Sequence, residues 1–195
     1  MNQKFDECRT SAILTDLYQL TMAQGYFHNS QKDMQACFYM FFRDYPFEGG
    51  YAIACGVEQI SEYIQNFKFT KQDIDYLSQI KGSNNKQIFA PDFLDYLLNL
   101  KLEIDIDCVE EGTVVFPHEP ILRACGPILQ CQIIETAILN AFNFQTLVAT
   151  KASRICFAAG CPVSEFGLRR AQGYAGGVWA SRAAVVGGCA STSNV

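Results

Sequence analysis

Histidine, tryptophan and long apolar runs are scarce in this sequence. It has two histidines and one tryptophan, and neither histidine stands at ligand spacing from a cysteine, so a metal centre is not expected. No stretch approaches the ~18 to 20 uncharged apolar residues that cross a bilayer as a helix, so no membrane association is expected. The opening residues Met1 to Arg9 are polar and carry both signs, unlike a secretory leader. A cytoplasmic location is the default expectation. Neither a Walker A loop nor a dinucleotide glycine fingerprint occurs, and internal repeats and low-complexity linkers are absent.

Cysteine, by contrast, is plentiful. The nine cysteines stand at 8, 37, 55, 108, 125, 131, 156, 161 and 189, with no Cys-x-x-Cys pair. Several lie inside apolar runs, such as Cys37 within Ala36 to Met40, where a free Cys behaves as a small buried hydrophobe. Reduced core thiols are therefore expected rather than a metal site or a disulfide framework. With 49% hydrophobic and 18% charged residues, the composition is that of an ordinary globular protein.

Charge is unevenly spread. Residues 1–150 hold 10 Lys/Arg against 19 Asp/Glu, whereas residues 151–195 hold Lys151, Arg154, Arg169, Arg170 and Arg182 against Glu165 alone. The acidic body argues against a nucleic-acid partner. The basic end suits a phosphate or carboxylate ligand, or is an excess of surface arginines.

Periodicity predicts a helix over 13–29, with Thr15 as N-cap and Leu14, Tyr18, Met22 and Tyr26 in one row. Gln35 to Arg43 reads as a strand buried on both faces, and Tyr51 to Cys55 as a second strand after a Pro-Gly turn. Further helices follow from Val57, from Thr70 with its Asp73 capping box, and from Pro91. Residues 103–108 alternate acidic and apolar. Val114 to Phe116 and Ile121 to Ala124 read as strands flanking Pro117-His118-Glu119-Pro120. From Ile128 to Ile155 the pattern is helical. Then a strand near Cys161 to Gly167, a small-residue helix over 178–186 and a glycine-led strand form a parallel βα unit.

Within that last region, Glu165-Phe166-Gly167-Leu168-Arg169-Arg170-Ala171-Gln172-Gly173 combines a strand end, glycines and paired arginines. Backbone amides and guanidinium forks suit an anion, and Phe166 suits a flat ring. Ligands in α/β folds bind at carboxyl ends of strands. From spacing alone, a polar turn with solvated arginines serves equally well.

Thr15-Asp16-Leu17-Tyr18-Gln19-Leu20-Thr21-Met22 is similar to the opening helix of nicotinate phosphoribosyltransferases. Phe42-Arg43 through Pro46, Gly49-Gly50-Tyr51 and Gly56 resemble that family's next block. Glu111-Gly112-Thr113 to Pro117, with Glu119-Pro120-Ile121-Leu122 to Gly126-Pro127, resembles the hairpin after it. Thr146 to Ala152, Phe166 to Gly173, Ala180-Ser181 and Gly187-Gly188 to Val195 complete an ordered series from about residue 13 to the end.

The resemblance implies a type II phosphoribosyltransferase fold: an α+β N-terminal domain over 1–127, a long connecting helix over 128–155, and the first βα elements of an incomplete, irregular α/β barrel over 156–195. It implies joining of nicotinate to phosphoribosyl pyrophosphate, with ATP and Mg²⁺ as family cofactors, in a homodimer or with a complementing C-terminal half. By the same resemblance Tyr18 packs on the pyridine from a neighbouring subunit, Phe166 stacks on the ring, and Arg169 contacts base or phosphate. Asp16 and Ser193 accompany them. The family's phosphorylated histidine belongs to a Gly-Thr-x-x-His segment expected after Val195. His28, at a helix end, and His118, between prolines, do not match it, so no catalytic residue is assigned and little turnover is expected of this chain alone. The alternative is a non-catalytic remnant serving as a dimerisation or binding module. Nicotinamide- or quinolinate-using relatives fit the Gly-Leu-Arg-Arg-Ala-Gln-Gly pattern less well. The segment after about residue 156 is expected to be loosely held or completed by a partner, since such barrels usually need well over ~200 residues.

Overall fold

The computed structural model describes residues 11–194; the expectation for Met1 to Arg9 and the last matched residue, Val195, lie outside them. The helices are α1 (Leu17–His28), α2 (Val57–Gln65), α3 (Lys71–Leu77), α4 (Pro91–Leu98), α5 (Ile128–Ala159) and α6 (Gly173–Val186). The strands are β1 (Gln35–Met40), β2 (Ala52–Ile53), β3 (Asp105–Cys108), β4 (Val114–Val115), β5 (Leu122–Pro127), β6 (Ser164–Glu165) and β7 (Ser191–Thr192). They form a mixed α/β fold with three small sheets, ordered β1-β5-β3, β2-β4 and β6-β7.

Two compact units divide the chain. Among the described residues, the first takes those up to 38, 60–106 and 124–138; the second takes 39–59, 107–123 and those from 139 onward. α5 contributes its opening turns to one and the remainder to the other.

The first unit closes on large side chains. Leu20, Leu77, Phe89, Phe93, Leu97, Leu129 and Ile133 are buried together, and Phe67 meets both Tyr63 and Phe69 edge-on. Local signals set its helix starts. Thr70 caps α3 by accepting from the Asp73 amide at 3.2 Å, while Asp73 accepts from the Thr70 amide at 2.7 Å. Pro91 occupies the first turn of α4, where a missing N–H costs nothing.

Helix α1 departs from expectation. Its N-cap is Asp16, and the Thr15 hydroxyl instead donates to the Ile133 carbonyl at 3.1 Å. Leu14, Tyr18 and Met22 line an exposed stripe, while Gln19, Leu20 and Ala23 face inward. β1 is likewise not buried on both faces: exposure alternates along it, as in a sheet covered on one side.

The expected reduced state of Cys37 is corrected too. Cys37 of β1 is bonded to Cys125 of the adjacent β5, with Cα atoms 4.2 Å apart. Six other cysteines among the described residues are free. Nor do the strands around Pro117–Pro120 form a hairpin. β4 pairs antiparallel with β2, Ala52 opposite Val115, and β5 lies between β1 and β3. Two prolines that cannot donate and a left-handed His118 end one ladder before the next begins.

Around α6 the second unit packs small side chains, Cys55, Ala149 and Ala183 around Ile53 and Ala152, Ala184 and Cys189 nearby, while Met40, Val115, Ile121, Leu122 and Phe142 are buried elsewhere in it. Gly187 lets α6 meet α5, since a β-carbon there would lie 2.3 Å from the Ala149 carbonyl oxygen. Threonines one turn apart on α5 satisfy the backbone at β2. Thr150 Oγ1 accepts from the Ile53 amide at 2.9 Å. Thr146 Oγ1 accepts from the Cys55 amide at 3.2 Å and donates to its carbonyl at 3.1 Å. The expected strand–helix–strand unit is present as β6-α6-β7, with parallel strands and Ser164 opposite Ser191. Its helix begins at Gly173, earlier than the small-residue pattern predicts.

Candidate functional site

In the second unit, three of the residues singled out from sequence gather where β6 and β7 end. Phe166 follows β6 directly and is exposed; Arg169 lies in the 3-10 turn Leu168–Arg170; Ser193 follows β7. The Ser193 amide donates to the Glu165 carbonyl at 2.9 Å, holding the two strand ends together. Gly177 of α6 lets the arginine turn approach, because a β-carbon there would meet Leu168 Cδ1 at 2.4 Å.

Glu165 organises this end of the sheet. One carboxylate oxygen accepts from the Gly167 amide. The other accepts from Ser181 Oγ at 2.8 Å, Thr192 Oγ1 at 3.0 Å and Asn194 Nδ2 at 2.8 Å. Burial alone would raise its pKa, but the hydrogen bonds from Gly167, Ser181 and Thr192 outweigh burial and hold it below the ordinary carboxylate value. The carboxylate therefore stays ionised and fixes both strand ends. Its local signal is its isolation as the one acid between 151 and 195.

The basic excess of this region is partly consumed by internal partners. The Arg182 guanidinium is bidentate on Glu111, at 3.1 and 2.5 Å, and its Nε donates to Glu58 Oε2 at 2.7 Å. Glu111 also accepts from the Gly56 and Val57 amides, at 2.6 and 2.8 Å, at the start of α2. Burial would raise Glu111, yet Arg182 and those amides bring it below its ordinary value. Arg154 donates to the Phe47 carbonyl at 2.9 Å, and Lys151 lies 5.0 Å over the Phe47 ring. Arg169 and Arg170 are exposed and unpaired with any carboxylate among the described residues. Sequence reasoning missed Glu111 and Glu58 because they lie 71 and 124 positions from Arg182.

The other two candidates belong to the first unit. Asp16 Oδ2 accepts from Thr136 Oγ1 at 3.0 Å. Tyr18 is 53% exposed, and its hydroxyl accepts from Gln19 Nε2 at 3.0 Å. Gln19 is fully buried and also donates to Glu135 at 3.1 Å, while its carbonyl accepts from Gln132. Desolvation, then the charges of Glu135 and Asp16, raise the Tyr18 phenol above its ordinary pKa, so it stays protonated. Periodicity gave no sign of Gln19 and Gln132, polar residues at core positions.

His28 lies 3.4 Å from Asp92 at the end of α1, and His118 is 5.9 Å from the Phe41 ring. No group of three His, Cys, Asp or Glu side chains converges for a metal ion among the described residues. No helix among them is long and apolar enough to cross a membrane.

A family model described as the nicotinate phosphoribosyltransferase (NAPRTase) N-terminal domain matches residues 13–143. Nicotinate phosphoribosyltransferases of Caenorhabditis elegans and Bacillus subtilis are each 44% identical to this chain, over 94% of its length but 32% and 36% of theirs. Human nicotinic acid phosphoribosyltransferase superposes with a TM-score of 0.83 at 37% identity, covering 92% of this chain and 36% of that one. A nicotinate-nucleotide pyrophosphorylase from Pyrococcus furiosus shares the fold, with a TM-score of 0.70 at 24% identity. The chain thus spans about a third of the length of the curated relatives it matches.

Proposed function

The chain belongs to the nicotinate phosphoribosyltransferase N-terminal domain family, and we propose that it supplies one wall of a site joining nicotinate to phosphoribosyl pyrophosphate. The pyridine nitrogen would bond to the anomeric carbon as the bond to pyrophosphate breaks. Such displacement builds positive charge on the ribose and negative charge on the leaving group, so orientation and charge neutralisation carry the catalysis. Phe166 offers a ring to stack on the pyridine, Arg169 a fork for its carboxylate or a phosphate, and Ser193 a hydroxyl beside them. Glu165 touches no substrate in this scheme; it fixes the strand ends that present these groups. Tyr18 and Asp16 serve the same reaction from the first unit, Tyr18 by stacking in a neighbouring subunit's site.

The family's ATP and Mg²⁺ have no acid cluster to hold them among the described residues, and the Glu165 carboxylate is already occupied by four donors. Within the family's scheme the chain is an α+β domain running into the first elements of an irregular α/β barrel. It is read as cytoplasmic.

The observation that carries this reading is the gathering of Phe166, Arg169 and Ser193 at the ends of parallel β6 and β7, with Arg169 unpaired. Calorimetric titration with nicotinate and with phosphoribosyl pyrophosphate tests it. Binding that falls ~10- to 100-fold in Arg169→Ala supports it, as expected for a lost charge-assisted hydrogen bond. No binding of either compound overturns it. Chromatographic assay for nicotinate mononucleotide, with this chain alone and with the remaining two thirds of the B. subtilis relative, then tests turnover: product is expected only from the mixture.

The exposed stripe of Leu14, Tyr18 and Met22 favours a second reading, self-association through α1 in a module without catalysis. Sedimentation of wild type and Met22→Glu distinguishes it: a dimer lost in the variant, with no substrate binding, is its signature.

A further inference from the structure

Two thiols that the proposed reaction does not use face each other inside the second unit. Cys156 lies near the end of α5 and Cys189 between α6 and β7, and their Sγ atoms are 3.8 Å apart. Cys189 is buried and Cys156 half-buried, in a small apolar cluster with Ala152, Ala184, Val148 and Val163. A β-carbon placed on Gly188, the residue before its partner, would lie 3.9 Å from the Cys156 β-carbon. A disulfide needs its sulfurs about 2.05 Å apart, so side-chain torsions must close a gap of roughly 1.7 Å. Cys108 and Cys161 are exposed, and Cys55 and Cys131 are buried elsewhere. Among the described residues no other two free thiols make such a contact.

We propose that Cys156 and Cys189 form a reversible dithiol–disulfide site that accepts small disulfide oxidants, of which glutathione disulfide is the probe. Cys156, the more accessible, attacks as its thiolate; its sulfur bonds to one glutathione sulfur and the other glutathione leaves as a thiolate. The Cys189 thiolate then attacks the Cys156 sulfur of that mixed disulfide and expels the second glutathione. Two electrons pass from the cysteines to the oxidant, and the two thiol protons end on the two glutathiones. The greater exposure of Cys156 assigns the first attack to it, and burial, then the neighbouring thiol, pushes the Cys189 thiol above its ordinary value. The new bond would tie the end of α5 to the turn entering β7, three residues before Thr192 and its hydrogen bond to Glu165. The site stands on sulfur geometry and does not depend on the substrate reading.

The test uses the full chain. After incubation with glutathione disulfide and quenching with N-ethylmaleimide, it is digested with trypsin without reduction and analysed by mass spectrometry. Cys156 and Cys161 share the tryptic peptide 155–169, so Cys161→Ser is treated in parallel. The expected product, in wild type and Cys161→Ser, is 155–169 linked to 183–195. The link should be reversed by dithiothreitol and disappear from its specific place when the chain is oxidised in urea. If both thiols are recovered alkylated, or each carries glutathione without a link, the proposal is overturned. In Cys156→Ser the peptide 183–195 should be recovered unlinked, its Cys189 alkylated or carrying glutathione; should that variant fail to fold, the linked peptide in Cys161→Ser decides alone.

Discussion

Phe89, Phe93, Leu77 and Leu97 fill the first unit, whereas around α6 the second is lined by alanines and tied by side-chain hydrogen bonds of Arg182, Glu111, Gln145, Thr146, Thr150 and Glu165. A core of large apolar groups is stabilised by area removed from water and is indifferent to direction. A core of small groups buries less area and depends on directed bonds, each costly when one partner is lost. The second arrangement is the one that can hold charged side chains at fixed places. Phe166 and Arg169 stand in that unit, on a frame set by Glu165.

Four measurements sharpen or break this contrast. The largest effect is expected from Phe93→Ala, which opens the aromatic core and should cost ~3 to 5 kcal/mol in urea unfolding. A loss below ~1 kcal/mol, the range of surface changes, would mean that large side chains do not hold the first unit. Next, Glu111→Ala leaves Arg182 with Glu58 and Gln145 and two amides unpaired; with the pair part-exposed, about 1 to 3 kcal/mol is expected. A double-mutant cycle with Arg182→Met should show coupling, and additivity would refute the lock.

The third is a pH dependence confined to the second unit. Glu111 and Glu165 both have folded pKa values below the ordinary 4.5. Their contribution is therefore complete above that value and is lost as pH falls through the lower folded values. Thermal melts should decline below about pH 4.5, and a double Glu111→Gln, Glu165→Gln variant should flatten that decline. An unchanged slope would count against it. Smallest is Thr70→Ala, which removes a cap in the first unit for ~1 kcal/mol with no pH component near neutrality, measurable by chemical denaturation.

What sequence reasoning could reach was local. The Thr70–Asp73 box, Pro91 at a helix start, the long helix from Ile128 and the small-residue helix before β7 are written within a few consecutive positions. The rest is pairing over distance. Cys37 and Cys125 are 88 positions apart, Arg182 and Glu111 are 71 apart, and no periodicity encodes which strand β4 joins. The row of Leu14, Tyr18 and Met22 had the right period for a buried face, but Leu20 and Ala23 took that place. At the candidate site, Phe166 and Arg169 were legible as a ring and a fork beside glycines. Glu165 stood in the same motif and went unassigned, because its role comes from Ser181, Thr192 and Asn194, which only folding brings to it.

The threonines of α5 carry one last consequence. An open strand edge is a template on which another chain can add itself. β2 is two residues long, yet one edge meets β4 and the amides next to its other edge are occupied by Thr150 and Thr146. Two hydroxyls on a helix thus act as a fastened hem. A foreign strand finds no free donors there, and the ribbon is guarded against runaway assembly without a third strand.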